Sequence, residues 1–103
     1  MSRHQNLKEI LTTLQFAVLT ELYDGELSGK TLRAALRKSG VPLEAQVFYL
    51  MMKRLMREKL VEGRYDMEGG KKSRFYRMTV LGLLRWEKTS EFYLKRAKIL
   101  VRP

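Results

Sequence analysis

Cysteine is absent from this chain of 103 residues, and histidine occurs once, at His4. Without cysteine there is no disulfide framework, no thiolate metal site and no cysteine nucleophile. One histidine in a polar amino terminus also argues against a catalytic or metal site built on histidine. No nucleophile, base and orienting residue can be put together from the sequence. We therefore predict a protein that is not an enzyme and that uses no cofactor or metal.

Long apolar runs are lacking as well. No segment approaches the roughly 18 apolar residues of a membrane span, and the amino terminus MSRHQNLKEI has no apolar stretch of the kind found in a secretory signal. The expectation is a cytoplasmic protein with no membrane partner. A length of 103 residues suffices for one small core, which predicts a single domain.

Positive charge, by contrast, is in excess. The chain has 21 Lys and Arg against 11 Asp and Glu, a net charge of +10. Between Lys53 and Arg85 there are ten basic and four acidic residues, so this segment holds +6 of the +10. An excess of this size favours a polyanion as partner, such as DNA, RNA or an acidic membrane surface.

Apolar residues recur at steps of three and four along the first part of the chain, which is typical of helices with one buried face. Ser28 is placed to cap a second helix, and Gly40 to end it. The predicted helices cover about 7–23, 28–39 and 43–59. Their predicted core positions in the second and third helices are Leu32, Ala35, Leu36, Phe48, Met52, Leu55 and Met56.

The pattern changes to a period of two after the third helix. The segments LVEGRYD and SRFYRMT flank Gly69 and Gly70, which predicts a β-hairpin over about 60–79. The glycines suit a turn that needs positive φ. The turn does not need Lys71 and Lys72, since neighbouring cations repel each other unless an anion approaches.

A final helical pattern begins near residue 80 and has one apolar seam. We predict a mainly α fold with a small β-hairpin: residues 1–80 form a winged helix-turn-helix region, and residues 80–103 form a C-terminal dimerisation helix of the same domain. The seam offers more apolar surface than the first three helices can cover, so a homodimer is expected. The predicted interface residues are Leu83, Trp86, Ser90, Tyr93, Ala97 and Leu100.

Over about residues 10–85 the chain resembles the PadR-like winged-helix transcriptional regulators. The similar segments are LSGKTLRAAL, VFYLMMKRLMREKLVEGRY and GGKKSRFYRMTVLG. The last is the most specific, because the family's basic, glycine-rich wing is followed by a tyrosine, a threonine and a glycine, here Tyr76, Thr79 and Gly82. Lys30 replaces a tyrosine that is usual in the family. Lys59 replaces its helix-ending glycine, which leaves the end of the third helix open.

The resemblance implies a sequence-specific regulator of double-stranded DNA, a repressor that acts as a homodimer and responds to a small hydrophobic effector. The third helix would then contact base edges or phosphates, and the hairpin would contact the flanking backbone. The predicted DNA-binding residues are Lys30, Gln46, Tyr49, Lys53, Arg57, Lys71, Lys72 and Arg74.

Two other functions fit parts of the pattern. Winged helices also serve as protein-interaction modules, for which Leu50 and Met51 on the third helix would offer apolar contacts. RNA binding without operator specificity is equally compatible with the charge, although readers of single-stranded RNA usually display several aromatic side chains on one open surface. The sequence does not identify an operator, an effector or the direction of regulation.

Overall fold

The computed structural model describes the backbone of residues 7–100 and the side chains up to residue 97, so His4 lies outside the described residues. Four α-helices and a three-stranded antiparallel sheet form this part of the chain, and the predicted winged-helix fold class is confirmed. The elements are a 3-10 turn at Leu7–Glu9, α1 at Thr13–Glu21, β1 at Leu27–Ser28, α2 at Gly29–Lys38, α3 at Ala45–Arg57, β2 at Val61–Glu68, β3 at Lys71–Met78 and α4 at Val80–Leu100. Within these residues, no helix has both the length and the apolar character needed to cross a bilayer.

The sheet contains one strand that the sequence did not predict. The strand order is β1-β3-β2, and β1 pairs with β3 through only two residues, Leu27 opposite Tyr76 and Ser28 opposite Phe75. A strand this short has too few residues to show an alternating pattern. It ties the start of α2 to the root of the hairpin, because Ser28 is also the N-cap of α2, as predicted.

The first helix begins later than predicted. A 3-10 turn occupies Leu7–Glu9, and α1 starts only after Thr12. The hydroxyl of Thr12 accepts from the backbone N–H of Gln15 at 3.1 Å, and the Gln15 side chain accepts from the Thr12 N–H at 3.0 Å. This capping box fixes the first turn of the helix. The prediction of one helix from residue 7 was wrong because the apolar spacing continues across the break.

One core lies between the helices and the root of the sheet. The predicted inner faces of α2 and α3 are confirmed, with Ala35 and Met56 only partly buried. Leu19 of α1 is also fully buried. The buried apolar residues are Leu11, Val18, Leu19, Leu22, Leu32, Leu36, Phe48, Met52, Leu55, Leu60, Val61 and Tyr76.

The end of α3, left open by the sequence, lies at Arg57. The N–H of Lys59 donates to the carbonyl of Met56 at 3.0 Å, and the N–H of Leu60 donates to the carbonyl of Leu55 at 3.0 Å. These two bonds form a Schellman motif, which requires a left-handed residue at the position of Lys59. Lys59 has φ +63°, and it is the only residue other than glycine with positive φ among those the structure describes.

Replacing Lys59 with glycine should therefore stabilise the protein. A side chain in the left-handed region costs about 1 kcal/mol, which glycine avoids. We expect Lys59→Gly to raise the free energy of unfolding in urea by about 1 kcal/mol. Lys59→Ala is the matched control, because it removes the charge and keeps the strained Cβ. Equal stability of the two variants would contradict this explanation.

Helix α4 starts very close to the backbone at the end of α3. The hydroxyl of Thr79 donates to the carbonyl of Lys59 at 2.8 Å and accepts from the N–H of Gly82 at 2.9 Å. A Cβ at Gly82 would overlap the carbonyl oxygen of Leu60. The close approach thus depends on glycine at this position, and it fixes α4 at the root of the hairpin.

Candidate nucleic-acid interface

The outer face of α3 exposes the four side chains that the sequence predicted there. Gln46, Tyr49, Lys53 and Arg57 are all exposed, opposite the buried side of the helix. The Tyr49 ring contacts the edge of Phe48 with 5.1 Å between ring centroids, so its position is fixed while half of its surface remains exposed. The helix therefore presents an amide, a phenol and two cations on one side.

Leu50 borders this polar face. It follows Gln46 by four residues and precedes Lys53 by three, positions that are neighbours on a helix surface. Its side chain is 61% exposed. The sequence singled out Leu50 as a candidate contact for protein docking, and in the structure it neighbours residues predicted to bind DNA.

The hairpin formed by β2 and β3, here called the wing, has the predicted two-glycine turn. Gly69 and Gly70 have φ of +59° and +81°, and Glu68 pairs with Lys71 across the turn. Positive φ at both central residues is the geometry that suits the twist of a hairpin. Lys71 and Lys72 are exposed beside this turn, as predicted.

One side of the wing, here called the tyrosine face, points toward α3 and has cations without carboxylate partners. The ammonium of Lys72 lies 4.9 Å from the centroid of the Tyr65 ring, and the guanidinium carbon of Arg74 lies 4.9 Å from the same centroid. Attraction between each cation and the ring offsets the repulsion between the two charges. Tyr65 therefore holds two positive side chains close together.

Arg74 connects the tyrosine face to α3. One of its terminal nitrogens donates to the hydroxyl of Tyr65 at 3.3 Å, and the other lies 3.4 Å from the sulfur of Met56. Its Nε is buried and has no hydrogen-bond partner within the described residues. Arg74 is partly buried, unlike the other predicted DNA-binding residues, which are exposed. It contributes charge to the groove between α3 and the wing rather than to the wing tip.

The opposite side of the wing, here called the paired face, is neutralised. Arg64 forms ion pairs with Glu26 and Asp66, both at 2.6 Å, and its guanidinium lies over the Phe75 ring. Hydrogen bonds from Arg64 lower the pKa of both carboxyl groups, which keeps them ionised. Arg77 also forms an ion pair with Glu62 on the neighbouring strand, at 2.8 Å. The two arginines of this face therefore have acidic partners.

Several cations without acidic partners lie near one another around α3 and the wing. Lys30, Lys53, Arg57 and Lys71 form no ion pair with any residue in the described range, and Lys30 lies in the first turn of α2. The first turn of α2 adjoins the wing, because the hydroxyl of its N-cap residue, Ser28, donates to the carboxylate of Glu68 at 3.0 Å. The predicted DNA-binding residues of α2, α3 and the tyrosine face thus lie on neighbouring parts of the fold, here together called the basic surface. Lys71 lies at the wing tip, opposite Glu68 and on the other side of the hairpin from Lys72.

Trp86 contributes mainly to packing within the chain. Its ring stacks on Phe16 with 5.8 Å between centroids and lies 4.6 Å from the Tyr23 ring. Its Nε1 donates to the hydroxyl of Thr20 at 2.9 Å. These contacts join α4 to α1 and leave only part of the ring available to a second protomer.

The other predicted dimer residues leave more surface exposed. Leu83 and Ser90 are partly buried, Tyr93 and Ala97 are exposed, and the side chain of Leu100 lies outside the described residues. Leu94, which the prediction omitted, is 59% exposed and follows Leu83 by three helical turns. An apolar stripe therefore extends along one side of α4. We call this the α4 stripe; it consists of Leu83, Ser90, Leu94 and Ala97.

A cleft of about 740 Å³ lies between the end of α1, the paired face and the start of α4. Leu22, Met78 and Leu83 contribute apolar lining, and Arg64 and Arg77 lie at its charged part. Both arginines are engaged by carboxylates, so an ion entering the cleft would have to compete with existing pairs. An uncharged apolar molecule matches this lining better.

No protein-family model matches the chain, and no curated protein matches its sequence. Solved structures do match. A PadR-family transcriptional regulator from Eggerthella lenta is 29% identical with a TM-score of 0.69, over 88% of this chain and 84% of that one. A PadR-like transcriptional regulator from Bacillus cereus is 25% identical with a TM-score of 0.74, over 97% of this chain and 99% of that one.

A third match is the PadR protein of Bacillus subtilis in complex with operator DNA. It is 22% identical with a TM-score of 0.69, over 90% of this chain and 61% of that one. At this identity the likeness shows the fold alone. The first two structures confirm the resemblance to PadR-like winged-helix regulators that the sequence predicted.

Proposed function

We propose that this chain, which resembles PadR-like winged-helix regulators in sequence and fold, is a transcriptional regulator that binds specific sites in double-stranded DNA as a homodimeric repressor. The observation that carries the proposal is the division of charge in the wing region. Lys72 and Arg74 on the tyrosine face have no acidic partner among the described residues, whereas Arg64 and Arg77 are paired on the other side. A polyanion that contacts α3 and the wing together accounts for this division.

Double-stranded DNA fits the shape of the basic surface. The major groove, about 12 Å wide, admits an α-helix such as α3. In that position Gln46 can pair with adenine and Lys53 with guanine, while Arg57 contacts phosphate. Lys71 and Lys72 at the wing tip would neutralise phosphates of the adjoining backbone. The operator-bound PadR of Bacillus subtilis supports this choice of partner, because it has the same fold.

The homodimer follows from the length of DNA that one copy can contact. One recognition helix contacts only a few base pairs, and a two-fold dimer doubles the site, with half-sites about 34–36 Å apart. The α4 stripe offers the apolar surface for such an interface, with part of Trp86 and Tyr93 at its edge. We propose that the dimer represses transcription by binding an operator that overlaps a promoter, because RNA polymerase is then excluded from the promoter.

Selection of bound fragments from random duplex DNA tests this function. We expect enrichment of one palindrome whose half-sites lie about one helical turn apart. The same protein should bind a duplex RNA of equal length more weakly. Failure to enrich any DNA sequence, or tighter binding to RNA, would overturn the proposal in favour of an RNA-binding module or a protein-interaction module.

The wing should contribute to affinity through phosphates alone. We expect Lys71→Ala with Lys72→Ala to weaken binding to operator and random duplexes by the same factor. The slope of log affinity against log salt should fall by about 0.9 for each phosphate that the variant no longer neutralises. Filter binding or fluorescence anisotropy over a series of salt concentrations measures both quantities.

Arg77→Ala is the matched control for the wing variant. It removes a cation from the same strand, but from the paired face, where Arg77 binds Glu62. We expect an unchanged salt slope for this variant. An equal decrease for both variants would mean that net charge, and not the basic surface, determines binding.

We propose that the cleft between α1, the paired face and α4 binds the small hydrophobic effector. A molecule bound there would contact both the paired face and the first turn of α4, so it would change how the wing is placed relative to the α4 stripe. Release of DNA on addition of an apolar ligand, measured by anisotropy, would support an effector. Crystals grown with that ligand would locate its site.

A further inference from the structure

Leu50 is an exposed leucine that the core does not need. Helix α3 already buries Phe48, Met52 and Leu55 on its inner side, and each of these three is fully buried. Leu50 points away from them and is 61% exposed. A single exposed leucine is common in proteins and explains nothing by itself. Its surroundings are what make Leu50 informative.

The neighbours of Leu50 determine what can cover it. Gln46, Lys53 and Arg57 lie on the same exposed face of the helix. Neither Lys53 nor Arg57 has an ion-pair partner in the part of the chain that the structure describes. A partner that covers Leu50 therefore has to bring negative charge to Lys53 and Arg57 beside it, and an apolar group to Leu50 itself. The thymine-containing major groove has both, since its methyl group lies between two phosphate backbones.

We infer that Leu50 is a specificity-determining residue that contacts the 5-methyl group of a thymine in the major groove. The inference rests on the proposed DNA binding and adds the identity of one base in each half-site. Leucine can neither donate nor accept a hydrogen bond, so it gains from an apolar group on the base edge and from nothing else there. The contacted thymine lies beside the base that Gln46 contacts, because the two side chains are one helical turn apart.

Thymine and deoxyuridine differ only in this methyl group, which gives a direct test. The operator obtained by selection is synthesised with deoxyuridine in place of one thymine at a time. We expect the unmodified protein to lose about fourfold in affinity at one position of each half-site, and about fifteenfold when both half-sites are changed. The remaining thymines should tolerate the replacement.

Leu50→Ala should remove this discrimination. The variant should bind the thymine operator about as weakly as the unmodified protein binds the deoxyuridine operator, and it should bind both operators equally. Val47→Ala is the matched control, because Val47 is an aliphatic residue 42% exposed on the same helix, at the edge of the face. It should keep the fourfold preference for thymine.

The outcomes separate the inference from the proposed function. An operator that tolerates deoxyuridine at every position, or a Leu50→Ala variant that still prefers thymine, would overturn the role of Leu50 and leave DNA recognition intact. Failure to select any operator would overturn the proposed function and this inference with it. Loss of a protein partner from Leu50→Ala, with unchanged DNA affinity, would assign Leu50 to protein docking instead.

Discussion

Replacing Gly82 with alanine should lower the free energy of unfolding by about 3 kcal/mol, a large share of the roughly 5–15 kcal/mol that stabilises a small domain. The added Cβ would overlap the carbonyl oxygen of Leu60, a backbone atom that cannot turn aside as a side chain can. Moving α4 away to make room would also break the hydrogen bonds that Thr79 makes with Lys59 and Gly82. Urea unfolding followed by circular dichroism measures the loss.

Gly29→Ala is the control for this effect. A Cβ at Gly29 would have the Tyr76 ring as its nearest neighbour at 3.4 Å, an ordinary contact, and alanine favours the first turn of α2. We expect a change of less than about 0.5 kcal/mol. If the two alanine variants are equally stable, α4 does not depend on the close approach at its start.

A glutamate at Leu94 should dissociate the proposed dimer. Two copies of the charge would meet near the two-fold axis, where like charges cost several kcal/mol. We expect Leu94→Glu to raise the dimer dissociation constant on the order of a hundredfold, as measured by sedimentation equilibrium. Affinity for the palindromic operator should fall with it, although the basic surface is unchanged.

Leu84→Glu is the matched control, since Leu84 is also an exposed leucine of α4, at 51%. Helical geometry places it about 100° around the helix from the α4 stripe. This variant should remain dimeric. Trp86 is less suitable for the test, because shortening it would also remove the contacts that join α4 to α1. A Leu94→Glu protein that stays dimeric would contradict the proposed interface.

Features set by neighbouring residues could be predicted from the sequence. The N-cap at Ser28, the two-glycine turn of the wing and the two faces of α3 all depend on spacing within one element. The late start of α1 also has a local signal, the capping box of Thr12 and Gln15, but the apolar spacing outweighed it. The apolar spacing predicted a helix from residue 7, whereas the capping box favoured a start after Thr12. The helix starts where the hydrogen bonds of the capping box place it.

Features that depend on distant residues could not be predicted. Arg64 pairs with Glu26, 38 positions away, and the sequence offered no reason to separate it from Arg74. Only the register of the sheet places these two arginines on opposite sides of the wing. The stacking of Trp86 on Phe16 likewise depends on how α4 crosses α1. An apolar seam in the sequence cannot distinguish packing within a chain from packing between chains.

The unequal charge of the two sides of the wing has a consequence for the kinetics of association. A protein with unpaired cations on one side of its wing and paired ones on the other has an uneven electric field, and a DNA duplex would attract the unpaired side before any contact is made. The encounter is then oriented as well as accelerated, since approach by the paired face gains little. Such steering is long-ranged at low ionic strength and is reduced once the screening length falls to about 8 Å in physiological salt. Salt should thus slow the first arrival of the protein on DNA, in addition to loosening the complex already formed.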